Sequence, residues 1–347
     1  MIKVLIVEDS QTSLEFLVYL LELDKDIQVI GTAKDGKKAV ELAKRKNPDV
    51  IVMDINLPKM NGFEATRMIM ENNPVPNIIV SAAYDVKETA TALHVLEAGA
   101  VASVNKPKGI GHPDHENLAN QLLLTVKLMS EVKVVTRRRR QKAAKRRVSK
   151  APKVEAAYSP RYVNAVVIGA STGGPPVLQA ILSKFRKDFP VPILIVQHIS
   201  QGFVVGLAEW LGQNTELPIH VASHGELPLP GHVYLAPDGF QMGLEKTGKI
   251  SLSSGVSQDG NCPSVSHLFR SVADVCGKNV IGVLLTGMGK DGAMGMKLLK
   301  ERDALTVAQD KESSLVHGMA GEAIKLKAAK YVLSIEDIAQ RLNGLIK

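Results

Sequence analysis

The chain has 347 residues, 45% hydrophobic and 22% charged, long enough to bury two ordinary α/β cores, and no apolar run approaches the roughly 20 residues a membrane span needs. Its two cysteines, Cys262 and Cys276, have no CxxC spacing, which argues against a disulfide framework or zinc site and for reduced thiols in a cytoplasmic protein. The net charge of +8 is local: residues 1–130 carry 14 basic against 17 acidic side chains, residues 131–160 carry 11 against 2, and residues 161–347 carry 18 against 16. Basicity therefore describes one short segment and not the folded parts.

The run Met1–Val7 meets acidic residues at once, which predicts a first strand and not a targeting segment. Strands are predicted at Val4–Val7, Ile27–Ala33, Val50–Met53, Ile78–Ser81 and Ala100–Val104. Helical patterns lie between and after them. Leu14, Leu17, Val18 and Leu21 keep one face apolar, as do Leu118, Leu122, Val126 and Met129. Strands and helices in alternation predict a doubly wound parallel sheet, with ligands beyond the carboxyl ends of its strands.

Polar residues fall at those ends. Glu8 and Asp9 follow the first strand, Asp54 the third, Ser81 the fourth and Lys106 the fifth. Three carboxylates converging in one crevice repel unless a cation holds them, and an all-oxygen donor set suits Mg²⁺. A lysine and a hydroxyl opposite could bind a phosphoryl group on Asp54. Each residue alone is an ordinary loop residue; five at five matching positions are not.

On the pieces Val7-Glu8-Asp9-Ser10, Met53-Asp54-Ile55-Asn56-Leu57-Pro58-Lys59-Met60-Asn61-Gly62, Val80-Ser81-Ala82 and Asn105-Lys106-Pro107, residues 1–130 resemble a response-regulator receiver domain. The resemblance implies a flavodoxin-like fold and phosphorylation of Asp54. It also implies Mg²⁺ on Glu8, Asp9 and Asp54, and contacts from Ser81 and Lys106 to the phosphoryl group. Glu8 and Asn61 stand where aspartates are commoner, which leaves the site intact.

Residues 131–160 include Arg137-Arg138-Arg139-Arg140-Gln141-Lys142-Ala143-Ala144-Lys145-Arg146-Arg147. Like charges this dense oppose compaction and predict a flexible basic linker. A nucleic-acid or acidic-lipid patch is the alternative. With no interleaved aromatics for stacking, specific nucleic-acid binding is not expected, and contact with an acidic partner is favoured.

Residues 161–347 again alternate. Strands are predicted at Ala165–Ile168, Ile193–Val196, His232–Leu235, Val280–Leu285, Leu305–Ala308 and Tyr331–Leu333, with a last helix over Ile335–Ile346. The first strand ends in Gly169-Ala170-Ser171-Thr172-Gly173-Gly174, and Pro175 and Pro176 open a helix. That geometry suits a phosphate cradle, a nucleophile elbow or a plain tight turn. No Gly-Lys-Ser/Thr follows, and the turn at 169–174 is not itself a GxGxxG, which weakens the phosphate reading there. His198 ends the second strand, and Asp291 lies in the glycine-rich loop after Val280–Leu285. Serine, histidine and aspartate past three strand ends form the constellation for acyl transfer, and the two glycine turns would offer N–H groups to an oxyanion. A rival order, Ser171 with Asp291 or Asp310 and then His317, is disfavoured because His317 starts a helix and does not end a strand.

This half resembles the catalytic domain of the chemotaxis protein-glutamate methylesterase (CheB) family. The pieces are Gly169–Gly174, Gln197-His198 with Gln201-Gly202-Phe203, Leu235-Ala236-Pro237, Pro263-Ser264-Val265 with Leu268–Ala273, Thr286–Ala293 and Ala308-Gln309-Asp310. The resemblance implies a Rossmann-like fold and the triad Ser171, His198 and Asp291, with Thr172 and Met288 lining the site. It implies hydrolysis of glutamate methyl esters, and of glutamine amides, on methyl-accepting chemotaxis receptors. It further implies that the ester step needs no cofactor and that a chemotaxis histidine kinase phosphorylates the receiver, which is expected to gate the enzyme. Ala320 stands where a proline is usual, and the segment before Leu305 lacks the common Gly-Gly; neither touches the triad. Two other readings stay open: a two-component regulator whose second domain only binds, using the basic linker on nucleic acid or another acidic partner, and an esterase or deamidase acting on a non-receptor protein.

Overall fold

A computed structural model of the chain describes residues 1–81, 95, 98–132, 134, 163–255 and 260–346. The chain divides into two compact units, Met1–Val154 and Glu155–Lys347. The basic run at 137–147 lies outside the described residues, as does most of the helix expected between the fourth and fifth strands.

The first unit is a five-stranded parallel sheet built from β1 (Ile2–Val7), β2 (Ile27–Ala33), β3 (Val50–Asp54), β4 (Asn77–Ser81) and β5 (Ala102–Asn105). Its order, β2-β1-β3-β4-β5, is that of the flavodoxin-like doubly wound sheet. Val4 to Val7 and Val50 to Met53 are buried on both faces, as expected when helices cover a parallel sheet on both sides. The helices start on side-chain caps. Ser10 caps α1 (Gln11–Glu22), Asp35 caps α2 (Gly36–Lys46) and Asn61 caps α3 (Gly62–Asn72). Asn61 thus keeps a capping role although it replaces the commoner aspartate. Gly62 is required beside it, because a Cβ there would lie 2.2 Å from the Asp54 carbonyl oxygen. The unit's last described helix is α4 (His115–Ser130).

The second unit holds a seven-stranded parallel sheet of order β14-β13-β12-β6-β7-β9-β8. Its strands are β6 (Ala165–Ala170), β7 (Ile193–Gln197), β8 (Ile219–Val221), β9 (Val233–Leu235), β12 (Val280–Leu284), β13 (Leu305–Gln309) and β14 (Tyr331–Leu333). The helices are α5 (Gly174–Leu182), α6 (Val204–Gln213), α7 (Val265–Cys276), α8 (Ala293–Glu301), α9 (Met319–Lys325) and α10 (Ile335–Leu345). Along α7, Val265, Leu268, Phe269 and Val272 are fully buried at helical spacing, each contributing about 1.5–3 kcal/mol. The chain lays down β6, β7, β9 and β8 on one side, then returns to β12 on the other. The strand order therefore reverses between β6 and β12, where doubly wound sheets place their sites.

Three strands lie outside the sequence reading. β8 is only three residues and contains His220. β10 (Phe240–Leu244) and β11 (Ile250–Ser254) form an antiparallel hairpin apart from the main sheet. β10 carries Gly243, a weak strand former; a Cβ there would lie 2.4 Å from Ser271 Oγ on α7. Tertiary packing against α7 outweighs that propensity. No helix among the described residues is long and apolar enough to cross a membrane.

Candidate active site and acidic cluster

In the first unit, Glu8, Asp54, Ser81 and Lys106 gather at the carboxyl edge of the sheet. Glu8, Asp54 and Ser81 are buried, and Asp9 is exposed. Lys106 Nζ lies 2.7 Å from Glu8 Oε2 and 2.7 Å from Asp54 Oδ2. Ser81 and Lys106 meet through the backbone, Lys106 N donating to Ser81 O at 2.8 Å. Asp54 Oδ1 accepts from the Ile55 N–H at 2.6 Å. Burial pushes the Glu8 carboxyl up; Lys106 partly holds it down and Asp54 adds to the rise. For Lys106 burial works the other way, but contact with Asp54 and Glu8 outweighs it and raises the ammonium. One ligand oxygen each from Glu8, Asp9 and Asp54 lie within 4.8 Å of one another. This hard oxygen donor set fits Mg²⁺.

In the second unit the site grows from three strand ends. β6 delivers Ser171 on a turn closed by Gly173, whose φ of +77° belongs to the left-handed region that glycine adopts freely. The Ser171 N–H donates to Thr286 O at 3.0 Å, and Gly174 N–H to Ser171 O at 2.7 Å. Gly287 presses on Ser171: a Cβ there would lie 2.7 Å from Ser171 Cβ. β7 delivers His198, whose N–H donates to Ala170 O at 2.9 Å. His198 Nε2 lies 2.9 Å from Asp291 Oδ2.

Asp291 is the most constrained of the three. Its Oδ1 accepts from Ser264 Oγ at 3.0 Å, Ser266 N at 2.9 Å and Gly292 N at 2.8 Å, and its Oδ2 from Val265 N at 2.8 Å. The carboxylate thus sits on the N-terminus of α7, where unpaired N–H groups and the helix dipole favour negative charge. Burial alone would push this carboxyl up. The His198 imidazole and the Ser266 donors outweigh burial and hold it well below the usual carboxylate range. Asp291 is therefore a fixed anion behind an imidazole, the arrangement that sets a tautomer and stabilises imidazolium.

The remaining sequence candidates divide. Thr172 accepts at its carbonyl from Thr286 Oγ1 at 2.9 Å, and Met288 is half-buried in the loop that opens with Gly287. His317 lies beside Gly287 through a backbone bridge, two residues before α9. It is the His198 ring that Asp291 faces, while Asp310 is turned onto Ser313 at 2.6 Å. The N–H groups of Ser171, Gly174, Gly287 and Gly292 are committed within the fold. Sequence spacing assigns no role to Ser264, Gln197, Thr286 or Gln309. Ser264 caps α7, and the others are buried polar residues closing apolar strands. Gln309 Oε1 accepts from Thr286 N at 2.7 Å and so anchors the strand end that holds Ser171.

Comparison with known proteins places the chain in a family. The family model described as CheB methylesterase matches residues 166–342, and that described as response regulator receiver domain matches residues 4–112. The chain is 53% identical to a protein-glutamate methylesterase/protein-glutamine glutaminase of Nitrosospira multiformis, covering 100% of this chain and 97% of that protein. It is 49% identical to one of Geobacter metallireducens, covering 99% of each. The crystal structure of the Thermotoga maritima CheB methylesterase catalytic domain superposes with a TM-score of 0.52 at 38% identity, over 53% of this chain and 99% of that domain. The chain therefore belongs to the CheB methylesterase family, in the form that carries a response-regulator receiver domain ahead of the esterase domain.

Proposed function

We propose that the chain is a phosphorylation-activated protein-glutamate methylesterase and protein-glutamine glutaminase acting on chemotaxis receptors in the cytoplasm. Its parts are a receiver over 1–130, a basic linker over 131–160 and a catalytic domain over 161–347. The observation that carries the reading is the buried Asp291 carboxylate, 2.9 Å behind His198 and docked on a helix N-terminus, at the same strand-order reversal as Ser171.

Ser171 Oγ attacks the ester carbonyl carbon of a receptor glutamate and passes its proton to the His198 nitrogen that faces away from Asp291. The tetrahedral intermediate collapses, the C–O bond to the methoxy group breaks, and His198 returns the proton to release methanol. Water then attacks the glutamyl-serine ester, with His198 as base, and frees the carboxylate. With a glutamine substrate the leaving group is ammonia. The N–H groups of Ser171, Gly174, Gly287 and Gly292 being committed, the backbone N–H groups of Thr172 and Met288 are the donors assigned to the oxyanion.

In the receiver, Glu8, Asp9 and Asp54 would hold Mg²⁺, which neutralises charge as a phosphoryl group arrives on Asp54. The kinase-derived phosphoryl group on Asp54 draws Lys106 and Ser81 to itself and reshapes the receiver surface, which raises hydrolysis by the second unit. The test is methanol release from a methylated receptor cytoplasmic fragment, with and without a small phosphodonor and Mg²⁺. Wild type is expected to release methanol, faster with phosphodonor. Ser171→Ala is expected to release none, and Asp54→Asn to keep the basal rate without stimulation. Release by Ser171→Ala would overturn the nucleophile, and equal stimulation of Asp54→Asn would overturn the gate.

A further inference from the structure

Gln197 ends β7 with its side chain almost wholly buried. Its carboxamide Nε2 donates twice, to Ser171 O at 2.9 Å and to His198 O at 2.7 Å. One NH₂ group therefore ties together the backbone carbonyls of the two residues between which a proton must move. Ser171 and His198 follow directly on neighbouring parallel strands, whose ladder pairs Ala170 with Gln197. The His198 N–H to Ala170 O bond closes that ladder. Past that point the carboxamide takes the place of a further rung.

The other end of the amide shows that this link comes at a cost. Gln197 Oε1 is buried and accepts no hydrogen bond among the described residues. A buried carbonyl without a donor opposes folding, and methionine would fill the same space without that penalty. Room for the oxygen is made by Gly174, where a Cβ would lie 2.0 Å from Oε1. A residue retained for packing alone would not need two N–H donors, an orphaned oxygen and a glycine opposite.

We propose that Gln197 is a positioning residue that sets the spacing of Ser171 and His198 by holding both of their backbone carbonyls, and so keeps the serine-to-imidazole proton transfer in register. The proposal rests on the reading of Ser171 as nucleophile and His198 as base. It matters because serine leaves the strand on a tight glycine turn, and an error of about 1 Å between reacting groups costs on the order of 10²-fold in rate.

The test uses the full chain with Gln197→Met, which keeps length but removes both donors, and Gln197→Glu, which turns acceptor oxygens toward two carbonyls. Two rates are measured from about pH 5.5 to 8.5. One is methanol release from the methylated receptor fragment. The other is labelling of Ser171 by a small fluorophosphonate, which needs the nucleophile and base but no receptor recognition. Gln197→Met is expected to lose about 30- to 100-fold in kcat with KM nearly unchanged, and to lose labelling rate in the same proportion. Gln197→Glu is expected to be worse at high pH and to recover part of its deficit as pH falls, because a protonated buried carboxyl regains one donor. A folded Gln197→Met with wild-type kcat and labelling rate, a change in KM alone, or a pH-independent deficit in Gln197→Glu would each overturn the proposal. Failure of both variants to fold would overturn it in favour of a purely structural role. Labelling of wild type and Ser171→Ala alike would instead overturn the underlying triad.

Discussion

Replacing Asp291 by asparagine separates its proposed catalytic role from its structural one. The asparagine oxygen can still serve Ser264, Ser266 and Gly292, but an NH₂ group replaces Oδ2 and faces the Val265 N–H that now donates at 2.8 Å. A buried N–H left without an acceptor costs about 1–3 kcal/mol, and loss of the anion at the start of α7 costs up to about 2 kcal/mol more. The sum is about 1–5 kcal/mol. At about 2–3 kcal/mol per molar urea for a unit of this size, the midpoint falls by about 0.3–2.5 M. The assay is built into the sequence. Trp210 is the one tryptophan, is buried, and lies in the unit Glu155–Lys347, so its fluorescence reports that unit. The sign with pH follows from the depressed carboxyl. Its stabilisation is complete above the unfolded value near about 4 and is lost as pH falls toward the folded one. The wild-type advantage over Asp291→Asn should therefore shrink between about pH 5 and 3, while kcat at neutral pH falls by about 10³- to 10⁴-fold. A variant as stable as wild type, or a midpoint difference that stays constant down to about pH 3, would refute the reasoning.

Gly287→Ala should displace Ser171, because its Cβ would lie 2.4 Å from Met319 Sδ and 2.7 Å from Ser171 Cβ. A loss of about 1–3 kcal/mol by Trp210 fluorescence and about 10²-fold in methanol release is expected; wild-type kinetics would show that the turn absorbs the methyl group without moving Ser171. Lys106→Met removes the cation 2.7 Å from both Glu8 and Asp54. It should tighten Mg²⁺ binding in calorimetry and abolish stimulation by phosphodonor, and weaker Mg²⁺ binding would contradict convergence of the carboxylates on the ion. In wild type, Mg²⁺ affinity should begin to fall at a higher pH than an exposed glutamate would dictate, because burial pushes the Glu8 carboxyl up and proton and metal compete for it.

The sequence by itself determined the two parallel sheets. Runs such as Val50–Met53 and Ile193–Val196 are apolar at every position because both faces are covered, and that pattern is local. It also marked Glu8, Asp54, Lys106, Ser171, His198 and Asp291, since a polar residue just past such a run sits at the edge where doubly wound sheets bind ligands. Tertiary structure decided what those residues touch. That Asp291 faces His198 and not His317 depends on β12 lying next to β6, which no spacing records. Ser264, Val265 and Ser266 reach Asp291 across 25 to 27 residues of chain, and Gln197 reaches Ser171 across 26. The hairpin β10–β11 is invisible to periodicity because its stability comes from α7 packed against it. Hydrophobic pattern follows from burial, which each residue carries in its own chemistry. Hydrogen-bond partnership depends on the direction and distance of two groups at once, and only the folded chain brings both into being.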